Sequence, residues 1–222
     1  MWLVAALLTA CSNSTGDEKN GGFTAELDTL QDAVTDAEVS VVHQSFPQLF
    51  RYLSKQDSTF SEDSFLLAGE NKVEQVPPMP VDEARLKPFQ QYFIYNRDSS
   101  LALDLYSYNY IIANRGGNST LEEAGPDSEA AVIDRKAGLR RRVFFGGPSH
   151  TLWDAKWVTD RELLLIGAET RDNDRVIPTI WKVNLQDTSI QVFAYQGDVQ
   201  ANMTGYRREL LKQGIAKKEN RD

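Results

Sequence analysis

Thiols and imidazoles are scarce in this chain. Its 222 residues include one cysteine, Cys11, and two histidines, His43 and His150. One cysteine excludes an internal disulfide and any site built from two thiolates. Two distant histidines, without helical or Cys-x-x-Cys spacing, argue against a His-rich metal centre, so neither a resident metal nor a cofactor is expected. Cations are also in deficit, with 24 Lys and Arg against 32 Asp and Glu and a net charge of −8. The imbalance is local. Ser12 to Glu74 carries 12 acidic and 4 basic residues, while the rest of the chain holds 20 of each. The acidic N-terminal third lacks the clustered Lys and Arg that a nucleic-acid or anionic-lipid surface needs, which argues against such a partner there. Long apolar runs are missing too. The run from Trp2 to Ala10 covers nine residues, short of the roughly 20 that a membrane-spanning helix needs.

What the chain does have begins with that run. It ends in Leu8-Thr9-Ala10-Cys11 and is followed by the polar, glycine-bearing stretch Ser12 to Gly22. The pattern resembles the lipobox of bacterial lipoproteins. The resemblance implies that residues 1–10 are a cleaved signal peptide, that Cys11 is acylated, and that residues 11–22 form a lipidated tether. Acylation would leave no free thiol in the mature chain. Each buried acyl methylene contributes about 0.8 kcal/mol to membrane binding, so two or more chains suffice for anchoring. Ser12 rather than an acidic residue after the cysteine points, by the sorting pattern of that family, to the outer membrane of a cell envelope. The acidic N-terminal third would hold the body away from an anionic bilayer.

The remainder reads as a single globular domain, 23–215, with a polar tail at 216–222. Its first part, 23–75, is expected to be helical. Thr24 is a plausible N-cap before Leu27, Leu30 and Val34, and a second helix is expected from Phe46 to Lys55 with Leu49, Phe50 and Leu53 as its buried stripe. Three prolines in Val76 to Pro80 require an extended connector. From 89 to 196 the pattern is β, with strands expected at Gln91–Tyr95, Leu101–Ile112, Ala130–Asp134, Arg140–Phe145, Ala155–Val158, Leu163–Ala168, Pro178–Asn184 and Ser189–Tyr195. Asn114 to Glu129 reads as a long loop. The strands fall into two sets of four, related at an offset of 62 in their first halves and 50 in their second. That cadence resembles blades of a β-propeller, but two blades cannot close a ring. The fold class expected is therefore mainly β with flanking helices: two four-stranded antiparallel sheets, blade-like or stacked as a sandwich. A C-terminal helix at 204–214, with Tyr206, Leu210 and Leu211 inward and Gly214 as its cap, closes the domain.

Few residues carry chemistry. Gly146 to Asp154 reads as a glycine-rich loop holding Ser149, His150 and Asp154, the three residue types of a hydrolase triad, but without a Gly-x-Ser-x-Gly elbow. Its plainer use is a connection between sheets. Along Leu101 to Tyr110 the apolar positions switch from odd (Leu101, Leu103, Leu105) to even (Tyr106, Tyr108, Tyr110). On a regular strand the tyrosines would line one face as a binding ledge, whereas a β-bulge at Leu105 would return them to the core. Trp153, Trp157 and Trp181 are expected to pack in or beside the sheets, with indole N–H groups on backbone carbonyls. Arg140-Arg141-Arg142 alternates across a strand rather than forming one patch, and its expected use is a solvated edge or cross-strand pairs with Asp and Glu. Glu122, Glu123, Asp127 and Glu129 lack the glycine-centred spacing of an EF-hand. Together these readings favour a membrane-anchored envelope lipoprotein that binds a glycan or an envelope protein without catalysis. An envelope hydrolase using Ser149, His150 and Asp154, or an obligate subunit of an envelope complex, are the alternatives.

Overall fold

The computed structural model describes residues 36–74, 76–115, 118–171, 175–203 and 206. Cys11 with its apolar run, the tether, the candidate helix after Thr24, Leu210, Leu211, Gly214 and the tail lie outside the described residues.

Two helices come first, α1 (Asp36–Ser45) and α2 (Pro47–Gln56). Pro47 occupies the first turn of α2, where its missing N–H costs nothing. The N-cap Phe46 makes no side-chain cap, so packing stabilises this helix. Leu49, Phe50 and Leu53 are all buried, and each such side chain contributes roughly 1.5–3 kcal/mol. Phe50 meets Phe60 and Phe65 at ring-centroid distances of 5.8 and 5.6 Å.

Phe65 belongs to β1 (Phe65–Lys72), a strand inside the part expected to be helical. Only Phe65 and Leu67 of this strand face a core, and its second half is an exposed edge. Hence the two-residue alternation fades after Leu67. The proline connector ends in β2 (Met79–Pro80), a two-residue edge strand, and leads into α3 (Glu83–Leu86), capped by Asp82, whose carboxylate accepts from Arg85 N. A 3₁₀ segment, Lys87–Tyr92, takes most of the strand expected at Gln91–Tyr95 and leaves β3 as Ile94–Tyr95.

Ten further strands follow among the described residues: β4 (Leu101–Asp104), β5 (Tyr110–Arg115), β6 (Asn118–Glu123), β7 (Ser128–Asp134), β8 (Leu139–Gly146), β9 (His150–Trp157), β10 (Glu162–Thr170), β11 (Arg175–Asn184), β12 (Ser189–Tyr195) and β13 (Val199–Gln200). They form a five-stranded sheet in the order β2-β8-β7-β4-β3, a six-stranded sheet β1-β12-β11-β10-β9 with β13 on β11, and a separate β5-β6 hairpin. The ladders are antiparallel, and neither large sheet closes on itself. The expected count of two four-stranded sheets is thus corrected. Each expected set of four is present as a meander, β3-β4-β7-β8 and β9-β10-β11-β12, but each gains an edge strand, β2 or β1. The loop expected at Asn114–Glu129 instead holds β6 and the start of β7.

The internal repeat is partly real. Asp134 pairs with Leu139 and Asn184 with Ser189, an offset of 50 in both strands. The two turns share a left-handed residue, Gly138 at φ 64° and Thr188 at φ 60°. In the first halves the equivalence slips: Ile94 pairs with Leu103, whereas Lys156 pairs with Leu164 rather than Leu165.

Three clusters make the layers. Leu101, Leu103, Val132 and Val143 of the five-stranded sheet meet Leu163, Leu165, Trp181 and Val183 of the six-stranded sheet in a shared core. The other face of the six-stranded sheet, with Trp153, Leu164, Ile166 and Ile180, packs on α1, α2 and Tyr206. Leu86 of α3 covers Ala102 and Ile133 on the outer face of the five-stranded sheet.

Candidate functional site

Gly147 to Ser149 is all that remains of the loop expected at Gly146–Asp154, because His150 already opens β9. Ser149 Oγ lies 3.1 Å from His150 Nδ1, at the exposed end of the strand. The imidazole sits 6.4 Å from the Trp181 ring, on the side of the core shared by the two sheets. Asp154 goes elsewhere. In the β9–β10 ladder, Leu152 faces Gly167 and Asp154 faces Ile166, so Trp153 is an extra residue in a β-bulge. The bulge resets the side-chain phase. Trp153 therefore enters the helix-covered core, and Asp154 Oδ2 accepts a 2.9 Å hydrogen bond from the Tyr206 hydroxyl there. Ser149 and His150 are brought together, and Asp154 is placed on the opposite face of the sheet.

Glycine makes the bulge possible. A Cβ on Gly167 would stand 2.0 Å from the Thr151 carbonyl oxygen, closer than any side chain tolerates. Burial raises the carboxyl pKa of Asp154, opposed by hydrogen bonds from Ala155 N and Tyr206. Burial also raises the phenol of Tyr206, and the Asp154 carboxylate adds to that effect. These shifts describe a dry structural contact and supply no orienting group to His150.

The tyrosine series is divided by a different device. Asp104 ends β4, its Oδ1 accepting from the backbone N–H groups of Tyr106 (3.1 Å) and Ser107 (2.9 Å). Tyr110 N closes the turn on Tyr106 O at 3.0 Å. The strand expected from Leu101 to Ile112 is therefore two strands joined by a turn, and no continuous ledge forms. Tyr106 packs edge-on against Tyr92 and Tyr110. Tyr108 remains 39% exposed and stands edge-on to Phe145, 5.9 Å away.

Asp104 also belongs to a buried ion network. Arg140 Nη2 donates to Asp104 Oδ2 at 3.2 Å and forms an ion pair with Glu129 Oε1 at 2.6 Å, without hydrogen-bond alignment at that oxygen. Arg142 Nε donates to Glu129 Oε2 at 2.7 Å, and the Ser107 hydroxyl donates to Asp104. Both acids are almost fully buried. Arg140 and Arg142 thus make the cross-strand pairs expected of alternate positions, and Trp157 Nε1 donates to Ile94 O at 2.8 Å as expected of the indoles.

No match to this chain emerges among protein-family models, curated proteins or solved structures.

Two cavities, each of about 250 Å³, accompany these groups. One opens where the sheets part, above Val143, Trp181 and Ile190, with Lys72, Glu74 and Arg142 at its mouth. The other is a depression on the outer face of the five-stranded sheet. Leu86, Ala102 and Ile133 form its floor, Phe93 and Tyr95 its wall, and Glu83, Gln90, Asp134 and Arg135 its polar lining. Sequence reading missed this second site. Its available signal was Phe93-x-Tyr95, two aromatics at alternate positions, of which only Tyr95 falls in β3 while Phe93 caps the 3₁₀ segment before it.

No group of three or more His, Cys, Asp or Glu side chains suited to a metal ion occurs among the described residues. Among them, no helix is long and apolar enough to cross a membrane.

Proposed function

We propose that this chain is a lipid-anchored protein of a bacterial cell envelope, held at the outer membrane through Cys11, whose β body binds or scaffolds a partner without performing chemistry. The observation that carries the non-catalytic half is the β9 bulge. It sends Asp154 to Tyr206 while Ser149 and His150 stay at the other end of the strand on the opposite face. A serine nucleophile needs an imidazole held in one tautomer by a third group and donors for the oxyanion. The anchoring half is supported by Leu8-Thr9-Ala10-Cys11 in the sequence. A glycan or an envelope protein is the partner class. Tyr108, exposed beside Phe145, is the member of the tyrosine series that supports a contact surface.

Two measurements test the two halves. Mass spectrometry of the native protein should find acylated Cys11 as the first residue, and an intact Met1 with a free Cys11 thiol removes the anchor. Hydrolysis of short-chain nitrophenyl esters should be the same for the wild type and Ser149→Ala. The hydrolase reading is favoured by the 3.1 Å contact between Ser149 and His150, and Ser149-dependent turnover would establish it.

A further inference from the structure

We infer that the depression on the outer face of the five-stranded sheet is a saccharide site that takes one uncharged pyranose ring, an inference that rests on the binding role proposed above and makes it specific. The cavity volume, about 250 Å³, is slightly below that of common small-molecule pockets and suits a single ring. Its two walls differ in chemistry. Phe93, the C-cap of the 3₁₀ segment, and Tyr95 of β3 line the same wall, with ring centroids 6.4 Å apart and planes at 63°. The polar lining carries two carboxylates, Glu83 and Asp134, and the Gln90 amide. Asp134 spends Oδ1 on the backbone N–H groups of Lys136 and Ala137, at 3.0 and 2.8 Å, which fixes the side chain.

Other ligand classes fit less well. Two carboxylates repel an anion, and the cation beside them, Arg135, already donates to Ser99 O at 2.7 Å. An organic cation would meet a like charge, because the Arg135 guanidinium lines the same cavity and lies over Tyr95 at 5.3 Å from the ring centroid. An acyl chain would strip water from Glu83, Gln90 and Asp134 and return no hydrogen bonds. A pyranose meets both walls. Its C–H face would lie on one of the two inclined rings, Phe93 or Tyr95, with its rim against the other, and its hydroxyl edge would donate to the carboxylates.

Saturation-transfer NMR on the full chain tests this with three probes: the methyl glycosides of glucose, galactose and N-acetylglucosamine. At least one should receive saturation, chiefly at the C–H protons of one ring face. Tyr95→Ala should then weaken binding about tenfold or more, Glu83→Gln about threefold, and Leu66→Ala on β1 not at all. Urea midpoints check that each variant folds; if Tyr95→Ala does not, the exposed Glu83→Gln and Gln90→Ala carry the test. Silence from all three probes overturns the site, as does binding that survives Tyr95→Ala and Glu83→Gln unchanged. The same spectra keep the two proposals apart. Silence removes the saccharide and leaves a protein partner, whereas hydrolysis of a glycoside by the wild type overturns the non-catalytic role itself.

Discussion

The Tyr206 hydroxyl donates to Asp154 Oδ2 across 2.9 Å, fastening the C-terminal segment to the bulge of β9 inside an apolar core. Leaving a buried acceptor without its donor costs about 1–3 kcal/mol, so Tyr206→Phe should lower stability by about that amount. The pH dependence has a definite sign. Burial raises the Asp154 pKa above its ordinary 3.8, so the folded chain holds the proton where the unfolded chain has released it. Asp154 therefore lowers stability progressively as pH climbs from 3.8 toward the raised value. Asp154→Asn can keep both contacts, accepting from Ala155 N and donating to the Tyr206 oxygen. Its melting temperature should exceed the wild type at neutral pH, with the gap closing as pH falls below 4. A gap that widens in acid would refute this account.

A second prediction concerns Arg140. It stands between two buried acids, Asp104 and Glu129. Removing one partner of a buried ion pair leaves an uncompensated charge and costs roughly 3–5 kcal/mol. Arg140→Met should therefore destabilise by about that much. Arg142→Met should cost less, since that side chain is 29% exposed and Glu129 keeps Arg140. Urea melts of the two variants should rank in that order, and equal midpoints would count against the network.

Gly167→Ala addresses the bulge itself. Its new Cβ would press within 2.0 Å of the Thr151 carbonyl, backbone that cannot rotate away. Overpacking of this kind costs about 1–3 kcal/mol and occasionally more, and the upper end is expected here. The amide resonances of Leu152 to Asp154 should move with the loss of stability, because relief requires unbending the bulge.

Strands with a buried face on each side were legible in the sequence. β7 and β10 to β12 carry unbroken apolar or alternating runs, and their ends lie within about two or three residues of expectation. The Asp134 and Asn184 turns were legible because each side chain caps its own turn, at Lys136 N and at Gln186 N. What was lost depended on long-range context. The second half of β1 is an exposed edge, and β6 reads Asn-Ser-Thr-Leu-Glu-Glu, so neither shows an apolar alternation. The break in Leu101–Ile112 turns on Asp104, a buried acid whose cationic partner Arg140 lies 36 residues away. The separation of Asp154 from His150 required one extra residue opposite Gly167, and no local pattern announces a bulge. The lipobox-like stretch that ends at Cys11 lies outside the described residues.

Tyr108 supplies the last prediction, because its two environments differ in measurable stability. On one regular strand it would share an exposed face with Tyr106 and Tyr110, and after a bulge it would be core. The turn that follows Asp104 gives a third arrangement: Tyr106 and Tyr110 pack together with Tyr92, and Tyr108 reaches Phe145 across solvent-exposed surface. An edge-on aromatic pair contributes about 0.5–1.5 kcal/mol, whereas a buried large aromatic replaced by alanine costs roughly 3–5 kcal/mol. Tyr108→Ala should therefore shift the urea midpoint by the smaller amount with an unchanged slope. Phe145→Ala should do the same, and the double variant should lose less than the sum of the two, since both single changes remove one contact. A core-sized loss at Tyr108 would place the residue inside the fold and remove it from any contact surface.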